Sequence, residues 1–375
     1  VLTLLIAVVL TALVFEYING FHDTANSIAT VVATKVLAPM QAVALAATTN
    51  LIGALWGTAV AKTIATGLLD QGVVEVTSQV IICALIGGIV WNLVTWYLGL
   101  PSSSSHALIG GLCGAAIAAA HGQWGAVIWS QPTDPWYKGA GILWKVVVPM
   151  VSSPVAGFVG GYLLMGVLFA LFWAMSRSGG VLMRIARPRW GNAFFGKAQL
   201  VSAGYMGLAH GLNDAQKTMG IIALALVSAH QAGTLATLPT WLDWMRPSET
   251  ALAHGDIDLW IKLTCAVTMA AGTAVGGWRI IKTLGHKLVH LHPIHGFAAE
   301  TSAATVITIA SSLGIPVSTT HNISAAIMGV GAAKRFSAVR WTVVERMLWA
   351  WLLTIPAAGG IAYGLVKVLQ AFGLD

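Results

Sequence analysis

Charge is scarce in this sequence. Asp, Glu, Lys and Arg make up 9% of its 375 residues, where a soluble domain carries about 25%. With 57% hydrophobic residues and a mean hydropathy of +0.79, the chain falls outside the soluble classes. Cysteine is nearly missing too. Cys83, Cys113 and Cys265 stand in apolar segments, and their spacing fits neither a disulfide framework nor a metal site. No helical pair of histidines flanks a carboxylate as a zinc hydrolase requires, so the cluster His286, His290, His292 and His295 reads as interfacial. The net charge of +7 does not point to nucleic acid, because the basic residues gather between apolar runs.

Those runs dominate. Stretches of about 20 apolar residues, enough to cross a bilayer, recur from end to end. The 41 glycines suit packed membrane helices better than the alternation of an outer-membrane barrel. The stretch Leu2–Phe15 lacks a basic leader and is expected to be a retained span. Residues 1–38 form an apolar run interrupted by polar residues, expected to be bent, broken or more than one segment. Later runs carry Pro154 and Pro356 and are read as interrupted there. Trp124, Trp129, Trp136, Trp241 and Trp244 are expected at the membrane interface.

Two short motifs stand inside this apolar background. One is Asn19-Gly20-Phe21-His22-Asp23-Thr24-Ala25-Asn26-Ser27. The other is His210-Gly211-Leu212-Asn213-Asp214-Ala215-Gln216-Lys217-Thr218. A carboxylate at mid-bilayer costs about 2.5–3.5 kcal/mol on the most lenient scale, and an amide would bridge helices at lower desolvation cost. Asp23 and Asp214 are therefore read as holders of cations or protons, with the two glycines letting the backbone bend. Glu300, alone in Gly296-Phe297-Ala298-Ala299-Glu300-Thr301-Ser302, is read the same way. Lys217 either contacts an anion or neutralises Asp214, three residues before it on the same helical face. Glu16 is placed near the outer boundary or in a structural pair. His22, His106 and His321 are accessory candidates that titrate or donate hydrogen bonds.

A second repeated feature is a hairpin joint. Pro101 is followed by Ser102-Ser103-Ser104-Ser105-His106, and Pro316 by Val317-Ser318-Thr319-Thr320-His321. Hydroxyl residues that cap a helix leave free N–H groups and a positive dipole end, a ready anion site.

The two features recur in the same order, which makes the chain an internal repeat. Its halves are 1–172 and 199–375, separated by a basic linker, 173–198. Thirteen of the 20 Lys and Arg residues fall in 35–42, 173–198, 279–292 and 334–346, and four fall in 62–77, 122–146 and 230–258. The richer group is placed in the cytoplasm, with both termini outside. The two motif runs then cross in opposite senses. The expected fold is an all-α polytopic membrane protein of two inverted-topology repeats, with broken helices, helical hairpins and about 10–12 membrane segments.

Gly20–Ser27, Gly211–Thr218, Trp91-Asn92 through His106 and Pro316–His321 together resemble the inorganic phosphate transporter (PiT) family, in its bacterial low-affinity branch. The resemblance covers essentially the whole chain. It departs at His22, where many relatives have Asn, and in lacking a long hydrophilic loop. It implies a multi-pass inner (plasma) membrane protein, a homodimer, that imports phosphate by symport with H+ or Na+ through alternating access, without a cofactor or catalytic residue. By position, Ser104, Ser105, Thr319, Thr320, Asn213, Asn26, Ser27 and Thr218 are the implied phosphate ligands. Asp23, Asp214 and Glu300 are the implied coupling residues, with any sodium at Asp23 and Asp214. Two alternatives stand beside it. One is carriage of another tetrahedral oxyanion or of a metal–phosphate complex. The other is an intramembrane hydrolase built on Ser105, His106 and Asp23.

Overall fold

Apolar backbone can satisfy its N–H and C=O groups in lipid only as helix or closed barrel, and the computed structural model of this chain is helical. It describes residues 2–66, 68–70, 72–134, 139–178 and 188–373. In chain order the main helices are α1 (Leu2–Ala33), α2 (Pro39–Ala54), α3 (Ala59–Thr66), α4 (Ser78–Leu98), α5 (Ser104–Ala119) and α6 (Val148–Arg177). There follow α7 (Pro188–Gln231), α8 (Leu259–Val275), α9 (Pro293–Ser312), α10 (Thr319–Lys334) and α11 (Trp341–Ala371). Short helices such as Glu249–His254 and Trp278–Lys282 fill the connections. Among the described residues the only β pairings are two isolated bridges, Leu69 with Val127 and Gln131 with Ala140. The three cysteines are free and buried.

Four of these segments are long and apolar enough to cross a membrane: Thr3–Ala33, Ser78–Leu98, Leu143–Arg177 and Trp341–Ala371. Two bent pairs bring the number to six. The sequence suggests more apolar segments because several are short helices buried in the interior, α5 and α10 above all, and because the long α7 carries polar residues.

The helix breaks do not lie where the sequence placed them. α1 runs unbroken for 32 residues through Asp23, and α7 for 44 through Asp214. Helices α6 and α11 likewise continue through Pro154 and Pro356. The bends fall instead between α2 and α3, at 69°, and between Thr240–His254 and α8, at 109°. Gly20 and Gly211 do not interrupt their helices. They let a neighbouring backbone approach: a Cβ on Gly20 would strike the Met269 carbonyl of α8, and one on Gly211 the Asn50 carbonyl of α2. Helix α6 reaches Arg177 and α7 starts at Pro188, so both enter the expected linker 173–198; residues 179–187 lie outside the described residues.

Packing crosses between the halves. α6 lies on α10 and α9, while α11 lies on α5 and α4. α1 packs on α8 and α4, while α7 packs on α2 and α9. These contacts come in matched sets, those of α6 beside those of α11 and those of α1 beside those of α7. α1 and α7 also pack on each other, which brings the two aspartate motifs together in the interior. Trp124, Trp129, Trp241 and Trp244 are exposed, as interface residues must be; Trp136 lies outside the described residues.

Candidate functional site

The two hairpin joints set the site. α4 ends at Gly99, whose φ of 66° is the left-handed conformation that glycine adopts without strain. The chain then turns through Pro101 into α5. Ser103 caps α5 by accepting from the His106 N–H at 3.2 Å, and Ser318 caps α10 by accepting from the His321 N–H at 3.2 Å. Of the next two hydroxyls in each joint, Ser104, Thr319 and Thr320 point at the aspartates, while Ser105 accepts from Lys217.

Asp23 receives the first set. The Ser104 hydroxyl lies 2.5 Å from Asp23 Oδ2 and 2.6 Å from Asn19 Oδ1. Thr320 donates to Asp23 Oδ1 at 3.3 Å. His22 Nδ1 is 2.7 Å from Asp23 Oδ1, and its Nε2 is 3.1 Å from the Thr95 hydroxyl, which also accepts from Ser102.

Asp214 receives the second. Thr319 donates to Asp214 Oδ2 at 2.8 Å, and the Lys217 ammonium donates to Oδ1 at 2.5 Å. His210 Nε2 lies 2.9 Å from Oδ2, with its Nδ1 3.2 Å from Asn50 Oδ1. Lys217 also donates to the Ser105 hydroxyl at 2.5 Å and to the Val317 carbonyl at 2.9 Å. Asn26 Nδ2 donates to Thr319 and Thr320 at 3.1 and 2.9 Å. One ligand atom each from Asp23, His210 and Asp214 falls within 4.8 Å of the others, close enough for a single cation to bridge them.

None of these motif side chains is more than 5% exposed, so the cluster is closed off from the surface. Several polar atoms in it have no protein partner: Asn26 Oδ1, Ser27 Oγ, Asn213 Oδ1, His106 Nδ1 and both ring nitrogens of His321. Buried polar atoms are normally paired, so these atoms are free to bond a water or a bound anion.

Of the residues singled out by sequence, Asp23, Asp214, Ser104, Ser105, Thr319, Thr320, Asn26 and Lys217 come together here. Three do not join them directly. Asn213 donates to Ser311 at 2.7 Å, beside a cavity of about 420 Å³ lined also by Gln216 and Tyr205. Thr218 donates to Glu16. Glu300 forms a separate cluster, accepting from Thr30 of α1 and from Ser202 and Gln199 of α7. Glu16 is fully buried and also accepts from Asn19, the structural pairing that is one of its two readings. Asn19 and His210 could have been found as polar neighbours of the aspartate motifs. Thr30, Gln199 and Ser202 give no sequence signal, since isolated hydroxyls and amides are ordinary in helices.

The hydrolase alternative is not assembled. Ser105 Oγ accepts from Lys217, His106 Nδ1 has no partner, and Asp23 is held by Ser104, Thr320 and His22. A triad needs serine, histidine and carboxylate bonded in sequence.

Comparison with known proteins gives a consistent result. The sequence profile of the phosphate transporter family matches residues 19–362. The chain is 45% identical, over 99% of its length and 79% of the relative's, to a "probable low-affinity inorganic phosphate transporter" of Mycobacterium tuberculosis. It is 40% identical to a protein of the same description from Bacillus subtilis, over 98% of both chains. Among solved structures, one titled a sodium-dependent phosphate transporter superposes with a TM-score of 0.75 at 22% identity, covering 98% of this chain and 99% of that one.

Proposed function

The chain belongs to the phosphate transporter family, whose members it matches are transporters and not enzymes, and on that premise we propose that it imports inorganic phosphate by symport with a cation. One observation carries the reading: two carboxylates, Asp23 and Asp214, and the hydroxyls of Ser104, Thr319 and Thr320 at the starts of α5 and α10 converge in a closed interior. Phosphate brings negative charge and strong acceptor oxygens. The Ser104-Ser105 and Thr319-Thr320 ends of α5 and α10 offer hydroxyl and N–H donors without a permanent guanidinium clamp, which would resist release. Asn26 and Ser27 add polar atoms beside them, and Asn213 and Thr218 flank Asp214 on α7.

Two carboxylates beside an anion are unfavourable unless a cation enters as well. Asp23 and Asp214 hold that H+ or Na+ next to phosphate, and Glu300 holds a further one where α1, α7 and α9 meet. Cation binding first lowers the repulsion that phosphate would meet. The matched contacts of the halves 1–172 and 199–375 support inverted repeats that rock about this centre, with the basic connections on the cytoplasmic side. Radiophosphate uptake into proteoliposomes, under proton and sodium gradients imposed separately, tests the reading. Uptake indifferent to both gradients would refute coupling.

A second reading rests on the proximity of Asp23, His210 and Asp214. That donor set suits a divalent ion, so the substrate would be a neutral metal–phosphate complex. Uptake abolished by a chelator and restored by magnesium or calcium would favour it over free phosphate.

A further inference from the structure

The two aspartate motifs differ most at one pair of positions. Three residues after Asp23 stands Asn26; three residues after Asp214 stands Lys217. Both point at the joint of the opposite half. Asn26 donates to Thr320 and Lys217 to Ser105, and Thr320 and Ser105 hold corresponding places in their joints. The difference is charge.

The surroundings of the Lys217 ammonium are those of a bound metal cation. Its three acceptors are a carboxylate oxygen of Asp214 at 2.5 Å, the Ser105 hydroxyl at 2.5 Å and the Val317 carbonyl at 2.9 Å. An ammonium has three N–H groups and no acceptor, so every donor is used. Carboxylate, hydroxyl and backbone carbonyl are also the hard oxygen ligands that alkali and alkaline-earth ions take. The three ligands come from α7, α5 and the segment leading into α10, so whatever sits there ties together the elements that form the anion site. Lys217 is only 2% exposed.

The first half has no such lysine. Asp23 Oδ1 faces Thr320 across 3.3 Å with neutral Asn26 alongside, and its nearest ionisable partner is the His22 ring.

We propose that Lys217 is a tethered coupling cation: its ammonium permanently fills the cation position of the second half, so phosphate entry recruits a mobile cation only on the Asp23 side. The proposal rests on the transport reading above and refines it by fixing how many cations the aspartate pair exchanges. Its consequence is that shortening and neutralising the side chain, as the first half already does, opens a position for a free ion.

The test uses the full-length protein with sodium itself as the probe. Thermal unfolding of wild type, Lys217→Asn and Lys217→Gln is followed in sodium chloride and in choline chloride at equal ionic strength, alongside radiophosphate uptake in the same salts. Both variants are expected to gain a saturable stabilisation by sodium beyond any shown by wild type. Sodium is also expected to stimulate their uptake about tenfold more than it stimulates wild-type uptake. A variant that unfolds in choline but folds in sodium supports the proposal. Variants that respond to sodium as wild type does, or that stay unfolded in both salts, overturn it. If wild type carries no phosphate, the transport reading fails, while the unfolding comparison still decides whether Lys217 occupies a cation position.

Discussion

The rings of His106 and His321 meet edge to face with their centroids 4.8 Å apart, so the first helical turns of α5 and α10 touch at the centre of the molecule. On its other side His321 stacks on Trp351 of α11, centroid to centroid at 4.0 Å. Among the described residues these two ring contacts are what hold the His321 side chain against its neighbours. Replacing His321 by Ala removes both ring contacts and is expected to destabilise the protein by about 1–3 kcal/mol. His321→Phe keeps them and should cost less. Thermal unfolding of the purified variants checks the order; an alanine variant as stable as the phenylalanine one would deny the packing role.

Asp23 and Asp214 should not respond alike to neutralisation. Asp214→Asn leaves the buried Lys217 ammonium without its carboxylate, and breaking a buried ion pair from one side costs about 3–5 kcal/mol. Asp23 has no lysine partner among the described residues, so Asp23→Asn should destabilise less while also abolishing uptake. Adding Lys217→Met to Asp214→Asn removes the stranded charge and should recover most of the lost stability without recovering transport. Denaturant unfolding of the three variants decides this, and a double variant less stable than Asp214→Asn would contradict it.

The residues that form this centre were legible because they break local rules. An aspartate in an apolar run and a proline followed within four residues by at least three hydroxyl residues are costly or unusual on their own, and each occurs twice. The caps Ser103 and Ser318 follow directly from the helix-start signal. The continuity of α1 and α7 was not legible. A polar stretch in a membrane run reads as a break, but here neighbouring helices pair those side chains and the backbone never needs to open. The role of Gly20 and Gly211 was hidden for a related reason. A glycine that bends a helix and one that admits a neighbour look identical in sequence, and only the carbonyls of Met269 and Asn50 distinguish them. The Thr218 partner of Glu16 and all the partners of Glu300 lie on other helices and could not be read from local pattern.

Close approach of backbones also makes certain glycines irreplaceable. A Cβ on Gly114 of α5 would collide with the backbone of Gly359 on α11, and one on Gly329 of α10 with the Phe158 carbonyl on α6. Gly166 and Gly364, in the outer helices, have nothing within 4 Å of that position. Gly114→Ala and Gly329→Ala are therefore expected to cost about 1–3 kcal/mol through forced backbone shifts. Gly166→Ala and Gly364→Ala should be neutral or slightly stabilising, because alanine favours helix. Unfolding midpoints of the four variants would show two separate groups, and a uniform response would rule out the close-packing account.

Glu300 gives the sharpest separation between structural and coupling roles. Its carboxyl is fully buried and held only by neutral donors, the Thr30 and Ser202 hydroxyls and the Gln199 amide at 3.3 Å. Among the described residues it has no ion-pair partner. Glu300→Gln keeps the shape, and a rotated hydroxyl can accept from the new amide where it previously donated, so stability should stay within about 1 kcal/mol of wild type. The amide, however, takes up no proton and offers a metal ion no negative charge. If Glu300 carries a coupling cation between α1 and α7, net uptake driven by a cation gradient should fall about tenfold. Exchange of internal for external phosphate needs no net cation movement and should persist. Measuring both fluxes on the same proteoliposomes separates the cases. Gradient-driven uptake at the wild-type rate would show that Glu300 only ties helices together, whereas loss of both fluxes would place it in the phosphate site itself.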